Sequence, residues 1–373
     1  MARTLKSDKV LFWEAVVLVC ASLVMVFSAS AVIQENKDGR AYEVFLRQLP
    51  WAFMGLVALF VMMRVDYHQL RRPEIIWTLL GITVIALLAV FVFPKRNGAH
   101  RWISLGGLSW QPSELAKVVA IIFSAAVLER RMHRINDIKY ALTPIAIVAG
   151  GLALVIVLQP DLGTPAMLVL AVVAMIFSAG LSWRYLAGVG LLMLPVLAYF
   201  IIREPYRVGR ILAFLNPDAG TLGGNYQLTQ AKIAIGTGGW MGLGLGDGIQ
   251  KLHFLPEPHN DFIFAVIGEE LGLIGTTAVL IAFGIIAWRG LRVALLAPDR
   301  FGALLGVGFA MMVALQAFVN MSVVTGLAPT KGIPLPLISA GGSSMMMNLI
   351  AMGVLLNISQ QASKAAETAV SVR

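Results

Sequence analysis

Apolar runs of about 20 residues recur along the whole chain, parted by polar connections that are short in all but two places. They fall at 10–33, 47–64, 74–93, 112–130, 140–158, 164–181, 186–202, 262–287, 301–323 and 340–358. Runs of this length are enough to cross the ~30 Å hydrocarbon core of a bilayer as helices. The pattern predicts an all-α integral membrane protein of about ten transmembrane helices. No stretch is polar enough for a separate soluble domain, so residues 1–373 read as one polytopic unit. Short tails, 1–9 and 359–373, flank it, and two large polar loops, 94–111 and 203–261, interrupt it. The run from Val10 to Ile33 follows Arg3, Lys6 and Lys9 as in a signal peptide. It is too long for a signal h-region and reads as a retained first span.

Composition agrees with the pattern. The chain is 58% hydrophobic and 13% charged, about half the charged share of a soluble domain. Cys20 is the only cysteine, which excludes an intramolecular disulfide or a cysteine metal cluster. The net charge of +9 would suit a nucleic-acid partner, but the basic residues sit in the connections between apolar runs. Membrane orientation explains them better, and no nucleic acid is expected.

Counting Lys and Arg sets that orientation. With the N-terminus inside, the cytoplasmic side carries sixteen, from Arg3 through Arg64, Arg71, Arg130 and Arg289 to Arg373. The short outer loops carry seven, namely Lys37, Arg40, Arg47, Lys95, Arg96, Arg101 and Lys331. Both termini are therefore expected in the cytoplasm, with loops 94–111 and 203–261 outside. The outer cations that resist this bias suggest an anionic ligand. Arg101, in "GAHRWISLGG", and Arg207 and Arg210, in "YRVGRILAFLNP", lie among glycines, Trp102 and Pro217 that imply ordered loops.

Ionisable residues within spans mark a functional path or a buried pair. Glu114 and Lys117, three residues apart in "QPSELAKV", share a helical face and suit either a mutual ion pair or a phosphate contact by Lys117. Asp161, in "LQPDLGTP", reads first as the N-cap of the sixth span. The glycine run "GTGGWMGLGLGDG" lacks the strand and helix of a phosphate loop, so it reads as tightly folded backbone at the outer surface. Trp240 is its expected interfacial anchor. In "PEPHNDFIFAVIGEELGLIG", Asp261 stands at the mouth of the eighth span, with Glu269 and Glu270 inside it. A straight helix would set those two ~12–14 Å deeper than Asp261. A cation or a polar backbone turn from a neighbouring span is the expected partner for at least one of them.

Six motifs in order carry a resemblance: "GAHRWISLGGLSWQPSELAK", "LQPDLGT", "YRVGRILAFLNP", "NYQLTQAKIAIGTGGWMGLGLG", "LPEPHNDFIFAVIGEELGLIG" and "GLAPTKGIPLPLISAGGSS". The chain resembles the SEDS proteins (shape, elongation, division and sporulation) over nearly its whole length, and the division member more than the elongation member. The sequence departs from the family pattern at Ala340, where an aromatic is usual, at Ala231–Lys232 and at Asn260.

The resemblance implies a ten-span peptidoglycan glycosyltransferase that polymerises lipid II, an undecaprenyl-pyrophosphate disaccharide-peptide, at the outer face of the bacterial cytoplasmic membrane. It implies a class B penicillin-binding protein as partner, other division-complex membrane proteins and membrane lipids around it, and a place at the division septum. A divalent cation, Mg or Mn, is implied and no organic cofactor. A lipid II flippase is the competing reading, and the elongation polymerase a closer variant. Asp261 matches the family's essential acidic position, which makes it the expected general base, with His259 as the competitor and helix capping as its bland role. Arg101, Lys117, Arg207 and Arg210 are candidates for the substrate pyrophosphates. Glu114 would orient Lys117, and the quoted motifs add Gln227, Lys331 and Ser343 to the substrate-binding set.

Overall fold

The computed structural model describes residues 7–95, 99–105, 108–215 and 224–371; Arg3, Lys6, Arg96, Pro217 and Arg373 lie outside them. Each of the ten apolar runs contains a helix. They are α1 (Lys9–Asp38), α2 (Glu43–Arg64), α3 (Pro73–Ala89), α4 (Pro112–Arg131), α6 (Thr143–Leu158), α7 (Gly163–Ser178), α8 (Trp183–Ile202), α12 (Ile263–Leu295), α13 (Arg300–Val324) and α14 (Gly342–Ser371). A single turn, α5 (Ile138–Ala141), precedes α6. Among its described residues the long outer segment holds three more helices: α9 (Pro205–Leu215), α10 (Gly224–Gly238) and the turn α11 (Gln250–His253). That segment is thus largely helical rather than a plain loop. Loop 94–111 contains a two-stranded hairpin, β1 (Ile103–Leu105) with β2 (Leu108–Trp110), which pairs Ile103 with Trp110.

Six of the helices, α1, α2, α3, α12, α13 and α14, are long and apolar enough to cross a membrane by length and composition, and α6 and α7 are shorter apolar helices. Helix α4 lies within the bundle, where most of its residues are buried against α3, α7 and α13; its charges are the buried Glu114 and Lys117 and, at its last turn, Glu129, Arg130 and Arg131. Helices α12 and α13 run antiparallel at close range. A methyl built on Gly290 would lie 2.7 Å from Ala310 Cβ, and one on Gly306 would lie 2.9 Å from Ala294 Cβ. Small residues permit such approach where packing rather than hydrophobicity holds helices together.

Both termini meet at one face. The Asp8 amide donates to Ser359 Oγ at 3.0 Å, and Arg289 reaches the Asp8 carboxylate at 3.2 Å. Asp8 also caps α1 by accepting from the amides of Val10 and Leu11. The short connection after α2 docks on the same face, where the Tyr67 amide donates to Asn357 Oδ1 and the Tyr67 hydroxyl to Asp299.

The eighth span is not a straight helix. Gly272 has φ 64° and ψ −158°, a conformation that glycine alone takes readily, and the chain turns back there. Ile267 Cγ2 lies 3.4 Å from the place of a Cβ on Gly275, and Thr276 Cγ2 lies 3.3 Å from one on Gly268. Residues eight apart in a straight helix would be ~12 Å apart. The expectation that Glu269 and Glu270 descend into the span below Asp261 is therefore corrected. They belong to a short arm, 263–271, folded against the start of the span proper.

A break of this kind frees backbone groups that must be paired in an apolar setting. The glycine run supplies the partners. Leu243 N donates to Glu269 O at 3.0 Å and Gly244 N to Glu270 O at 3.0 Å. In return Leu273 N donates to Gly239 O at 2.9 Å and Ile274 N to Trp240 O at 3.2 Å. A Cβ on Gly242 would lie 2.1 Å from the Glu270 carbonyl oxygen, so no larger residue fits. Trp240 itself is exposed.

Candidate active site

The end of the bundle opposite the termini is built from two irregular segments, 254–262 and 325–341, laid against each other. Irregular backbone at membrane depth needs donors, and polar side chains within the spans provide them. Asn320 Nδ2, near the end of α13, donates to the carbonyls of Asp261 at 2.8 Å and Ile333 at 2.7 Å. Gln316, one turn earlier, donates to Pro334 O at 3.0 Å, and Ser22 of α1 donates to Ile338 O at 2.8 Å. The Ala340 amide donates to His259 O at 2.9 Å, which joins the two segments directly.

Asp261 sits in the cradle this makes. Its Oδ2 lies 2.9 Å from where a Cβ on Gly332 would be, so only glycine leaves the carboxylate its place. Burial is the first cause that raises its pKa, to about 7, and the negative charges of Glu257 and Asp161 add to it. Arg210 and Arg101 oppose the rise without cancelling it. A carboxylate so poised can take and release a proton near neutral pH.

The predicted cations divide by location. Arg101 donates to the carbonyls of Gln159 and Pro160, which fixes its guanidinium at the end of α6. Arg210 donates to Thr330 O at 3.1 Å, and its charge acts on Asp261. Lys331 is exposed beside Gly332, and Asp161 acts on it. These three share the mouth with Asp261. Arg207 instead donates to Phe200 O at 2.7 Å near the end of α8, and Gln227 is half-buried in the first turn of α10.

Lys117 lies beneath the mouth. It is buried, 3.0 Å from Glu114 and 2.7 Å from Gln316 Oε1, and so supports the 331–341 segment through Gln316. The ion pair expected of Glu114 and Lys117 is formed. Ser343 is buried and accepts from the Gln111 amide at 3.3 Å, tying the start of α14 to the start of α4. Asp161 caps α7 as expected, accepting from the amides of Gly163 and Thr164 and from the Thr164 hydroxyl.

Glu269 and Glu270 also find their partners. Glu269 Oε1 accepts from the amides of Ile249 at 2.7 Å and Gln250 at 2.9 Å, at the start of α11. Glu270 pairs with buried Lys251 and accepts from Ser28 Oγ. A cation and a backbone turn were the expected kinds of partner, but both come from the outer segment instead of a neighbouring span. Sequence reasoning missed Lys251, Gln316 and Asn320. The last two had a signal, two polar residues four apart inside an apolar run.

A polytopic helical bundle with a partly buried, near-neutral carboxylate among cations at its outer mouth defines a membrane-embedded enzyme acting on an anionic lipid-linked substrate. The chain belongs to the FtsW/RodA/SpoVE cell cycle protein family, whose model matches residues 9–364. A probable peptidoglycan glycosyltransferase FtsW of Geobacter sp. (strain M18) is 41% identical over 365 residues, 96% of this chain and 98% of that protein. Stage V sporulation protein E of Bacillus subtilis (strain 168) is 40% identical over 358 residues, 95% and 97% of the two chains. Among solved structures, a chain described under structural coordination of polymerization and crosslinking by a peptidoglycan synthase complex matches with TM-score 0.78 and 30% identity, covering 96% of this chain and 99% of that one. The rod shape determining protein RodA of Thermus thermophilus matches with TM-score 0.68 and 28% identity, covering 96% and 98%.

Proposed function

We propose that this protein is an inverting peptidoglycan glycosyltransferase that polymerises lipid II on the outer face of the cytoplasmic membrane. The observation that carries the reading is the Asp261 carboxylate, cradled against Gly332 and Asn320 at the outer mouth with a pKa raised to about 7. At that value about half of it is ionised in neutral solution, and the carboxylate is basic enough to accept a proton from a sugar hydroxyl. As that oxygen bonds to the anomeric carbon of a second sugar, the bond to the lipid pyrophosphate breaks. One displacement inverts an α-linked donor to a β-linked glycan, so no enzyme nucleophile takes part.

Arg101, Arg210 and Lys331 are placed to stabilise the charge that develops on the departing pyrophosphate. The residues present suit a divalent cation only in the manner of Mg, held by one carboxylate and substrate phosphate oxygens. Among the described residues no three His, Cys, Asp or Glu side chains gather into a cage. Asp261 could hold such an ion only at the expense of its role as the base, since a bound dication keeps a carboxylate from taking a proton; held by the substrate phosphates, the ion would supply further neutralisation of the pyrophosphate.

The synthase-complex relative and the FtsW relatives support two finer readings. A class B penicillin-binding protein would cross-link the strands this chain makes, with other division proteins and membrane lipids around the pair. Its place would be the division septum of a bacterial cytoplasmic membrane.

The test is lipid II in proteoliposomes of known orientation, with the chain and its transpeptidase partner. Lipid II supplied to the outer leaflet is expected to give glycan strands without inward movement of substrate, and Asp261→Asn to give none. Product from an inner-leaflet supply, lost together with transport in Asp261→Asn, would replace this reading with one that couples transport to polymerisation.

A further inference from the structure

The arm 263–271 that follows Asp261 ends at a hinge, and something must hold it. Gly272, at φ 64° and ψ −158°, sets the arm's direction but resists bending less than any other residue would. At its N-terminal end the arm is held through the Asp261 carbonyl by Asn320, and through His259 by Ala340. At its C-terminal end two adjacent glutamates grip the outer segment. Glu269 accepts from two successive amides, and Glu270 is paired with Lys251 at 2% and 0% exposure for Lys251 and Glu270.

The buried pair reaches further than the arm and the loop. Lys251 Nζ donates to the Gly246 carbonyl at 2.7 Å and to Ser28 Oγ at 3.1 Å. Ser28 Oγ lies 2.7 Å from both Glu270 carboxylate oxygens. Three elements, the arm, the glycine run and α1, therefore converge on one ion pair. No other part of the proposed chemistry uses it, because it stands at the end of the arm away from Asp261.

We propose that the Lys251–Glu270 pair, braced by Ser28, is a positioning lock that fixes the 263–271 arm and thereby sets Asp261 in its cradle. This rests on the reading of Asp261 as the base. Lys251 and Glu270 touch neither substrate nor reacting atoms; they act through the arm. Removing one partner of such a buried pair leaves the other charge uncompensated out of water, so either single substitution is expected to displace the arm. The lock explains why charged residues occupy sites that apolar ones could fill.

The experiment uses the full chain in proteoliposomes with its partner, in a Cys20→Ser background carrying Asn260→Cys as a reporter of the arm. Glu270→Gln and Lys251→Met are each expected to speed maleimide labelling at position 260. Each should lower kcat for lipid II polymerisation on the order of 10–100-fold with KM nearly unchanged, as displacement of a reacting group by about 1 Å does. The double variant, which removes both buried charges, is expected to recover part of both. If the single variants do not fold, Ser28→Ala keeps both charges and takes their place, with the same direction expected in both readouts.

Unchanged labelling in these variants, with kcat falling only as the amount of folded protein falls, would overturn the lock. Faster labelling with kcat intact would support the lock and instead remove Asp261 as the base. The two failures are thus distinguishable.

Discussion

Two aspartates at opposite ends of the bundle show how differently the molecule treats a carboxylate. Asp66, on the inner side, is exposed, yet burial is still the largest single influence on it and raises its pKa. It accepts from Gln361, from the His68 amide and from the His68 ring, and these with the His68 charge bring its pKa down to about 2. Asp261, on the outer side, is desolvated and repelled by Glu257 and Asp161, and its pKa rises to about 7 despite Arg210 and Arg101. Burial opposes the charge at both and is the largest single influence on each; at Asp66 the hydrogen bonds and the His68 charge together outweigh it, while at Asp261 like charges reinforce it. Donors to a carboxylate make it a strut; desolvation and like charge make it a base.

The hardest way to break this comparison is to remove the outer carboxylate. Asp261→Asn is expected to lower glycan synthesis by ~10²–10⁴-fold, the range for a general base. In the unchanged protein, activity should fall as pH drops below about 7, because the base protonates. The stability effect has the opposite sense. A folded-state pKa raised from 3.8 to about 7 means that the proton stabilises the fold fully below 3.8, and that this contribution is lost as pH rises through 7. Asp261→Asn mimics the protonated form and should raise Tm at pH 8 by a few degrees, on the order of 2–4 °C. A dead and less stable variant would point to a structural role.

Arg210→Ala sharpens the comparison from the cation side. Loss of a charge-assisted contact to phosphate, ~1.5–3 kcal/mol, predicts a decrease of about 10–100-fold in kcat/KM. Because Arg210 holds the pKa of Asp261 down, its removal should also move the acidic limb of the pH profile upward. Glu257→Gln should do the reverse. With one repelling charge gone, the limb moves to lower pH by less than about one unit, and activity at pH 6 rises a few-fold. A limb that stays in place in both variants would assign it to another group.

How much of this the sequence disclosed depends on the distance over which each signal acts. The ten long helices follow from unbroken apolar runs, and the Glu114–Lys117 pair from a spacing of three residues on one helix. The Lys251–Glu270 pair has the same chemistry but spans 19 residues, through the irregular segment 254–262, whose path no local pattern dictates. Glu269 and Glu270 look like intruders in a span only while the helix is drawn straight. The turn at Gly272 and the glycine run that satisfies it remove the anomaly, and they can be seen only together. Asp261 itself was found by its place in a motif. Its raised pKa was not legible, since it depends on Asp161 from a distant turn and on segments that close over it.

The mildest test returns to the inner aspartate. A depressed carboxylate contributes stability that is present above its unfolded pKa of 3.8 and is lost as pH falls toward about 2. Asp66→Asn at neutral pH removes that contribution, but the group is exposed, and solvent screening limits the loss to about 1 kcal/mol or less. His68 keeps a second carboxylate, Asp299, at 3.1 Å, so the connection after α2 stays docked. Glycan synthesis by Asp66→Asn is expected to match the parent protein, with a slightly lower Tm above pH 5 that converges with the parent's near pH 2. A large loss of synthesis in this variant would mean that the inner face communicates with the outer mouth. The contrast between strut and base would then describe one coupled system, not two independent ends.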